Sequence, residues 1–208
     1  IVIPAYAERE SIFHTLASIA QNASSSLEYS FILCVINNKA NSPVTAIENN
    51  KKTIECLDAL LRKKSFSKSK ADDASCSILS DANLKLGFIN ASSPGLELPQ
   101  NAGGVGMARK IGMDMALRLL QQGSASQKLI ISLDADTLVQ NNYLSTIHGD
   151  FRRNIKTAIV AYAHQMPSDL QEKAAICCYE IFLRYWVLAL RYAQSPWSFH
   201  SIGSTIAT

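Results

Sequence analysis

The stretch Lys128-Leu-Ile-Ile-Ser-Leu-Asp-Ala-Asp136 joins an apolar run to two carboxylates. Such a run, ended by acidic residues, is typical of a buried strand that reaches the edge of a sheet. Asp134 and Asp136, separated by one small residue, can point the same way where the strand ends. Carboxylate oxygens suit Mg²⁺ or Mn²⁺, whose coordination is completed by phosphate and water. The triplet alone does not distinguish a metal site from a solvated turn or a helix N-cap.

An apolar run followed by a helical pattern recurs along the whole chain. The predicted strands cover residues 1–3, 31–36, 84–91, 128–133 and 157–163, and the predicted helices cover 8–19, 45–63, 104–120, 142–151 and 169–192. Repeated strand-then-helix order predicts an α/β fold with a mostly parallel sheet and helices on both faces.

Ligands of such sheets bind beyond the carboxyl ends of the strands. We therefore expect four segments that follow predicted strands to line one crevice, and these are Pro4–Glu8, Asn37-Asn38, Ser92–Asn101 and Asp134–Asp136. The acidic triplet would then lie at the same edge of the sheet as the other three segments.

Composition restricts the classes of function. With 208 residues, 48% of them hydrophobic, the chain can bury one substantial core. The formal charge of +3 is too small to indicate a nucleic-acid partner. Five cysteines without a CxxC pair favour a reducing, cytoplasmic location and argue against structural zinc. Residues 64–77, rich in Ser, Lys and Asp, are predicted to form a solvated loop.

Three separate motifs occur in a recognisable order. They are Ile1-Val-Ile-Pro-Ala-Tyr-Ala-Glu8, Gly106-Met-Ala-Arg109 and Leu133-Asp-Ala-Asp136. Together they resemble the family 2 glycosyltransferases, and the resemblance implies a GT-A-like (Rossmann-like) fold. It covers residues 1–165 as the nucleotide-sugar-binding half, with 166–208 as the start of a truncated acceptor-side half.

The resemblance implies roles for individual residues. The first loop would wrap the nucleotide base and ribose, position 37 or 38 would contact the base where the family usually has Asp, and the basic residue would help to hold the nucleotide. The triplet would bind the ribose and the metal. His200, just ahead of a Gly-Ser-Thr stretch, is either a third metal ligand or a hydrogen-bonded loop histidine. The candidate nucleotide-binding residues are then Pro4, Ala5, Tyr6, Glu8, Asn37, Asn38, Arg109, Asp134 and Ala135, and the candidate metal ligands are Asp134, Asp136 and His200. Ala7 replaces the family's usual Asn.

The implied activity is transfer of a sugar from a nucleotide-diphosphate sugar to an acceptor hydroxyl, with inversion and with Mg²⁺ or Mn²⁺ as cofactor. The acceptor would be a saccharide, a lipid or a small molecule. The family's acidic Glu-Asp motif, which supplies the general base, does not occur after Asp136. Because the sequence begins without methionine and ends inside an apparent segment, we expect the base to lie beyond Thr208. His164 follows the strand predicted at 157–163 and could meet the sugar or the acceptor, but a structural strand-end histidine is the favoured interpretation.

Two other functions remain open. A nucleotidyltransferase would also place a metal on an α/β sheet, but Pro4-Ala-Tyr-Ala-Glu8 lacks the Gly-rich basic loop expected there. A catalytically degenerate nucleotide-sugar-binding module is suggested by Asn37-Asn38 and by the missing base. Gly103-Gly-Val-Gly106 fails the dinucleotide fingerprint because Arg109 stands at the third glycine position.

The apolar segment at residues 174–192 is interrupted by Glu180 and Arg184 and is too short to span a membrane. A buried helix is favoured over a membrane-surface or partner-binding helix. Peripheral contact with a membrane surface stays open as an alternative.

Overall fold

A computed structural model describes residues 1–62, 73–124, 127–153, 155–200 and 206–208. Its strands are β1 (Val2–Ala5), β2 (Ile32–Asn37), β3 (Leu86–Ala91), β4 (Ala158–Ile159) and β5 (Ile206–Ala207). Its helices are α1 (Arg9–Ala20), α2 (Ser24–Leu27), α3 (Val44–Leu61), α4 (Asp73–Asp81), α5 (Val105–Gln122), α6 (Tyr143–Phe151) and α7 (Leu170–Tyr192).

The prediction of a loop at residues 64–77 is wrong for residues 73–77, which belong to α4. Residues 64–72 of that loop lie outside the described residues, and so does the stretch 203–205.

Three parallel strands form the main sheet in the order β1-β2-β3. Val2 pairs with Leu33 and Ile32 pairs with Leu86, which fixes the register. All six residues of β2 are buried, as expected for a central strand covered on both faces. The α/β class and the parallel order predicted from the sequence are confirmed.

Residues 130–136, here called the aspartate segment, extend this sheet beyond β1. The backbone N–H of Val2 donates to the Ile131 carbonyl at 2.8 Å, and the N–H of Leu133 donates to the Val2 carbonyl at 3.0 Å. On its other side Ile131 forms an antiparallel bridge to Ala207. The predicted strand at 128–133 is thus reduced to bridging residues, but it occupies the place of a strand between β1 and β5.

The strand predicted at 157–163 is also shorter, since β4 contains only Ala158 and Ile159. Its partner β5 is antiparallel and likewise two residues long, so the ladder extends no further over the described residues. Ala207 of β5 is fully buried in the main core. The end of the chain therefore packs with the first half of the protein.

Helices cover both faces of the sheet, because side chains along β2 point alternately to one face and to the other. Cys34 and Ile36 point into the larger hydrophobic cluster with Leu16 of α1 and Leu57 of α3. Val35 points the opposite way, into a second cluster that includes Ala108 of α5. This two-sided packing confirms the predicted arrangement.

The prediction that α7 is a buried helix is wrong, because none of its residues is buried. Tyr185, Trp186 and Tyr192 are exposed by 70%, 56% and 92%. An apolar sequence indicates a preference for burial, but not whether a covering surface exists. In the part of the chain that the structure describes, no helix is long and apolar enough to cross a membrane.

Helix α5 approaches the sheet closely at Gly112. A Cβ atom at this position would lie 2.4 Å from Val2 Cγ1 and 2.9 Å from Val35 Cγ2. Both neighbours are buried strand residues that cannot move away without disturbing the sheet. Glycine is therefore required by the spacing between helix and sheet.

Gly112→Ala should destabilise the fold by about 1–3 kcal/mol, the usual cost of overpacking a core. The control is Gly149→Ala in α6, where an added Cβ meets no atom within 4 Å. That change should be neutral or stabilise by up to about 1 kcal/mol through helix propensity. Urea unfolding of both variants measures the difference, and equal stabilities would contradict the close approach.

Candidate functional site

The carboxyl ends of the parallel strands meet at one edge of the sheet. Ala5 at the end of β1 pairs with Ile36, and Asn37 at the end of β2 pairs with Ala91. The aspartate segment runs parallel to β1 at Val2 and so directs its acidic end to the same edge. The four predicted segments therefore converge, as the sequence indicated.

A buried asparagine on α3 ties three of these segments together. Asn50 Oδ1 accepts from the Ala7 backbone N–H at 2.9 Å. Its Nδ2 donates to the Asn37 carbonyl and to Asn38 Oδ1, both at 3.0 Å. Asn38 Oδ1 also accepts from the Ser92 hydroxyl. One side chain thus connects the loop after β1 to the end of β2, and through Asn38 to the loop after β3.

Asn50 was missed by sequence reasoning, although a signal was present. It occupies the buried face of α3 together with Ala46, Thr53 and Leu57. A polar side chain on the core-facing stripe of a helix must find hydrogen-bond partners. Its partners lie far away in sequence, so they could not be named without the fold.

The loop after β1 has an unusual backbone. Ala7 has φ of +58°, in the left-handed region that glycine and asparagine adopt more readily than alanine. Its N–H is held by Asn50, which stabilises this conformation. Pro4 and Ala5 are buried, so they offer a ligand little more than backbone atoms, whereas Tyr6 is 43% exposed.

Asn37 and Asn38 differ in their hydrogen bonding. Both are buried, and the Asn38 side chain has its partners within the protein. Among the described residues, the Oδ1 atom of Asn37 has no hydrogen-bond partner. Unpartnered buried polar atoms are uncommon, and this oxygen is enclosed by the protein, so a ligand would reach it only after a local rearrangement.

Arg109 and Asp134 form a partly buried ion pair. Arg109 Nη2 donates to Asp134 Oδ1 at 2.7 Å, and their side chains are 19% and 34% exposed. The pair links the first turn or so of α5 to the aspartate segment. Charge-assisted bonds of this kind fix the orientation of both groups. One carboxylate oxygen of Asp134 is therefore already engaged.

Glu8 lies near the two aspartates. Partial burial raises the pKa of the Glu8 carboxyl, a bond to the Ser11 side chain opposes this, and the nearby charges of Asp136 and Asp134 raise it further. Asp136 is exposed, whereas Ala135 between the aspartates is buried and its carbonyl accepts from Thr15 Oγ1 at 2.7 Å. The carboxylates form a negative cluster that a cation would relieve.

The donor atoms suit a hard divalent cation, but the protein supplies few of them. Across residues 1–62, 73–124, 127–153, 155–200 and 206–208, no three His, Cys, Asp or Glu side chains are grouped to hold a metal ion. His200, the predicted third ligand, instead contacts Tyr162: its Nδ1 lies 2.8 Å from the Tyr162 hydroxyl. A cation here would need phosphate and water oxygens to complete its coordination.

Comparisons with known proteins give one distant likeness. No protein-family model matches the chain, and no curated protein matches it. The crystal structure of S. aureus TarS 1-349 matches with a TM-score of 0.45 and 14% sequence identity. The match covers 81% of this chain and 36% of that one, so the chain spans about a third of the TarS structure.

Asn50→Ala should cost at least about 2 kcal/mol of stability, because it leaves the Ala7 N–H without its partner and removes both bonds that Asn50 Nδ2 donates to the Asn37 carbonyl and to Asn38 Oδ1. The control is its neighbour Asn49→Ala, which removes a single bond from the Arg9 backbone N–H and should cost about 1 kcal/mol or less. Denaturant unfolding compares the two. A loss for Asn50→Ala no larger than that of the control would contradict its role as the connector.

Proposed function

We propose that this chain binds a nucleotide-diphosphate sugar at the carboxyl edge of the sheet and transfers the sugar to an acceptor hydroxyl. The observation that carries the proposal is the convergence of the Arg109–Asp134 ion pair, Glu8 and Asp136 beside the buried asparagines. At this edge the basic group suits the phosphates, the acidic groups suit a metal ion and the ribose hydroxyls, and the amide groups suit the base. The motif resemblance to the family 2 glycosyltransferases with a GT-A fold supports the same reading.

The base and ribose would occupy the loop after β1. Tyr6 offers an exposed aromatic face, and Asn37 stands where the resemblance places the residue that contacts the base. Asp134, oriented by Arg109, would accept from ribose hydroxyls. Backbone atoms of Pro4 and Ala5 would line the remaining side.

The diphosphate would lie over Asp136. Asp136 is the exposed carboxylate of the triplet, and Asp134 supplies the oxygen that Arg109 does not occupy. When bound, Mg²⁺ or Mn²⁺ would neutralise charge on the leaving diphosphate. Arg109 adds a permanent positive charge at the same edge, which favours binding of the anionic donor.

The products that the protein releases distinguish the proposed function from two others. A nucleotidyltransferase would release pyrophosphate, and a glycosyltransferase would release a nucleoside diphosphate. A binding module would bind the donor and release neither. The module is favoured by one observation, the partial neutralisation of Asp134 by Arg109, which leaves fewer free carboxylate oxygens for a metal.

Donor binding should require Asp136. The test measures thermal unfolding of the protein with UDP-glucose, UDP-N-acetylglucosamine or GDP-mannose, each in the presence of Mn²⁺ or Mg²⁺. A true donor at about a hundred times its Kd should raise Tm by roughly 5–10 °C. Asp136→Asn should abolish this shift, because it removes the carboxylate that would hold the metal.

The matched control is Asp114→Asn, an exposed aspartate paired with Lys110 on α5, which should keep the full shift. The proposal fails if no donor stabilises the full-length protein with either metal, or if Asp136→Asn responds like the control. The two transferases are then separated by chromatography: a glycosyltransferase releases nucleoside diphosphate from the donor, whereas a nucleotidyltransferase releases pyrophosphate when a nucleoside triphosphate and a sugar 1-phosphate replace the donor.

A further inference from the structure

A histidine and a glutamate form a close pair outside the predicted site residues. His164 Nδ1 lies 2.6 Å from Glu180 Oε1, and the same oxygen accepts from the His164 backbone N–H at 3.2 Å. Their side chains are 29% and 17% exposed. Bonds from His164 lower the pKa of the Glu180 carboxyl, so Glu180 is a carboxylate at neutral pH.

This geometry fixes the tautomer of the histidine. Because a carboxylate only accepts hydrogen bonds, Nδ1 of His164 must carry the proton that points to Glu180. The other ring nitrogen, Nε2, is then a proton acceptor in the neutral ring. A carboxylate that orients an imidazole in this way is a recurring arrangement for general-base catalysis.

The next residue links the pair to the aspartate segment. Gln165 Nε2 donates to the Asp136 backbone carbonyl at 3.3 Å. Since neighbouring Cα atoms lie about 3.8 Å apart, and a glutamine side chain reaches roughly 5 Å, the His164 backbone lies within about 12 Å of that carbonyl. A sugar attached to a diphosphate at Asp136 can span a gap of this size.

An open groove lies beside the pair. It has a volume of about 520 Å³ and is lined by Gln165, Met166, Pro167, Glu172, Ala175 and Ile176. Ile176 and Glu180 are four residues apart on α7, so the groove and the pair share one face of the helix. Gln165, which lines the groove, directly follows His164, so an acceptor molecule in the groove would lie next to the pair.

We propose that His164, oriented by Glu180, is the general base that activates the acceptor hydroxyl, in place of the acidic base that the resemblance led us to expect beyond Thr208, and that the groove beside Gln165 receives the acceptor. This inference rests on the proposed function. The acceptor oxygen forms a bond to the anomeric carbon, the bond from that carbon to the diphosphate oxygen breaks with its electron pair leaving on the diphosphate, and the hydroxyl proton moves to His164 Nε2. The imidazolium then returns the proton to water.

Several charged or titratable groups face the pair. Tyr179 and Arg184 lie on α7 with Glu180, and Arg184 Nε is 3.9 Å from Glu180 Oε2. Tyr162, on the segment after β4, packs edge-on against His164 and hydrogen-bonds His200. None of these groups is a carboxylate that would replace Glu180 as the partner of Nδ1.

The test uses full-length protein, the donor selected by thermal shift, and water as the acceptor, with release of nucleoside diphosphate as the signal. His164→Gln should lower kcat by about 100-fold or more, as expected for loss of a general base. The donor thermal shift and the KM for the donor should be unchanged. The control His148→Gln, in the last turn of α6, should keep the wild-type rate.

Glu180→Gln tests the positioning role through its separate effects on kcat and KM. Without the carboxylate, Nδ1 of His164 loses the partner that orients the ring, so kcat should fall, though less than in His164→Gln, while the KM and the thermal shift for the donor stay unchanged. Glu180→Asp keeps a carboxylate and should recover part of the lost kcat. A purely structural role for Glu180 would reduce the donor thermal shift together with kcat.

The outcomes separate the two proposals. If the wild-type protein binds and cleaves the donor but His164→Gln keeps its rate, the general-base assignment is overturned and the proposed function stands. An unchanged kcat in Glu180→Gln overturns the assignment too, even where His164→Gln does not fold. If no donor binds the wild-type protein, both proposals fall.

Discussion

The position of the aspartate segment depends on two backbone hydrogen bonds with Val2. They align residues 131–133 beside β1, while Ala207 pairs with Ile131 from the opposite side. The acidic triplet begins directly after this clamped stretch, so its carboxylates are delivered to the edge where β1 and β2 also end. Every contact of the candidate site, from the Arg109–Asp134 pair to the Gln165 contact, is made at that edge. Val2 itself is fully buried, and it also sets the closest approach of α5.

Much of this arrangement was predictable because it follows from local patterns. The apolar runs and helical periodicity located β1, β2, β3, α1, α3, α5 and α6 within a few residues. Parallel order then required the strand ends to meet, which placed Glu8, Asn37 and Asp134 together. The short β4 was predicted too long, since the extent of a ladder depends on its partner strand, and β5 supplies two paired residues.

The connecting side chains were harder to foresee, because each acts across a long sequence separation. Asn50 contacts Ala7, and Glu180 contacts His164, through bonds that only the folded chain brings about. In the sequence Glu180 is visible only as a charge that interrupts an apolar segment, whereas in the structure it contacts His164 more closely than it contacts Arg184. The exposure of α7 could not be predicted for a related reason: hydrophobicity measures what a helix would bury, not what is present to cover it.

The left-handed backbone at Ala7 has a consequence for ligand affinity. An alanine holds this conformation only at a cost, here offset by the Asn50 bond made within the protein. The loop after β1 therefore has its shape before any ligand binds, and Tyr6 is exposed on it. A ligand that binds a preorganised loop does not lose affinity to ordering it, so the free energy of its contacts appears more fully in Kd.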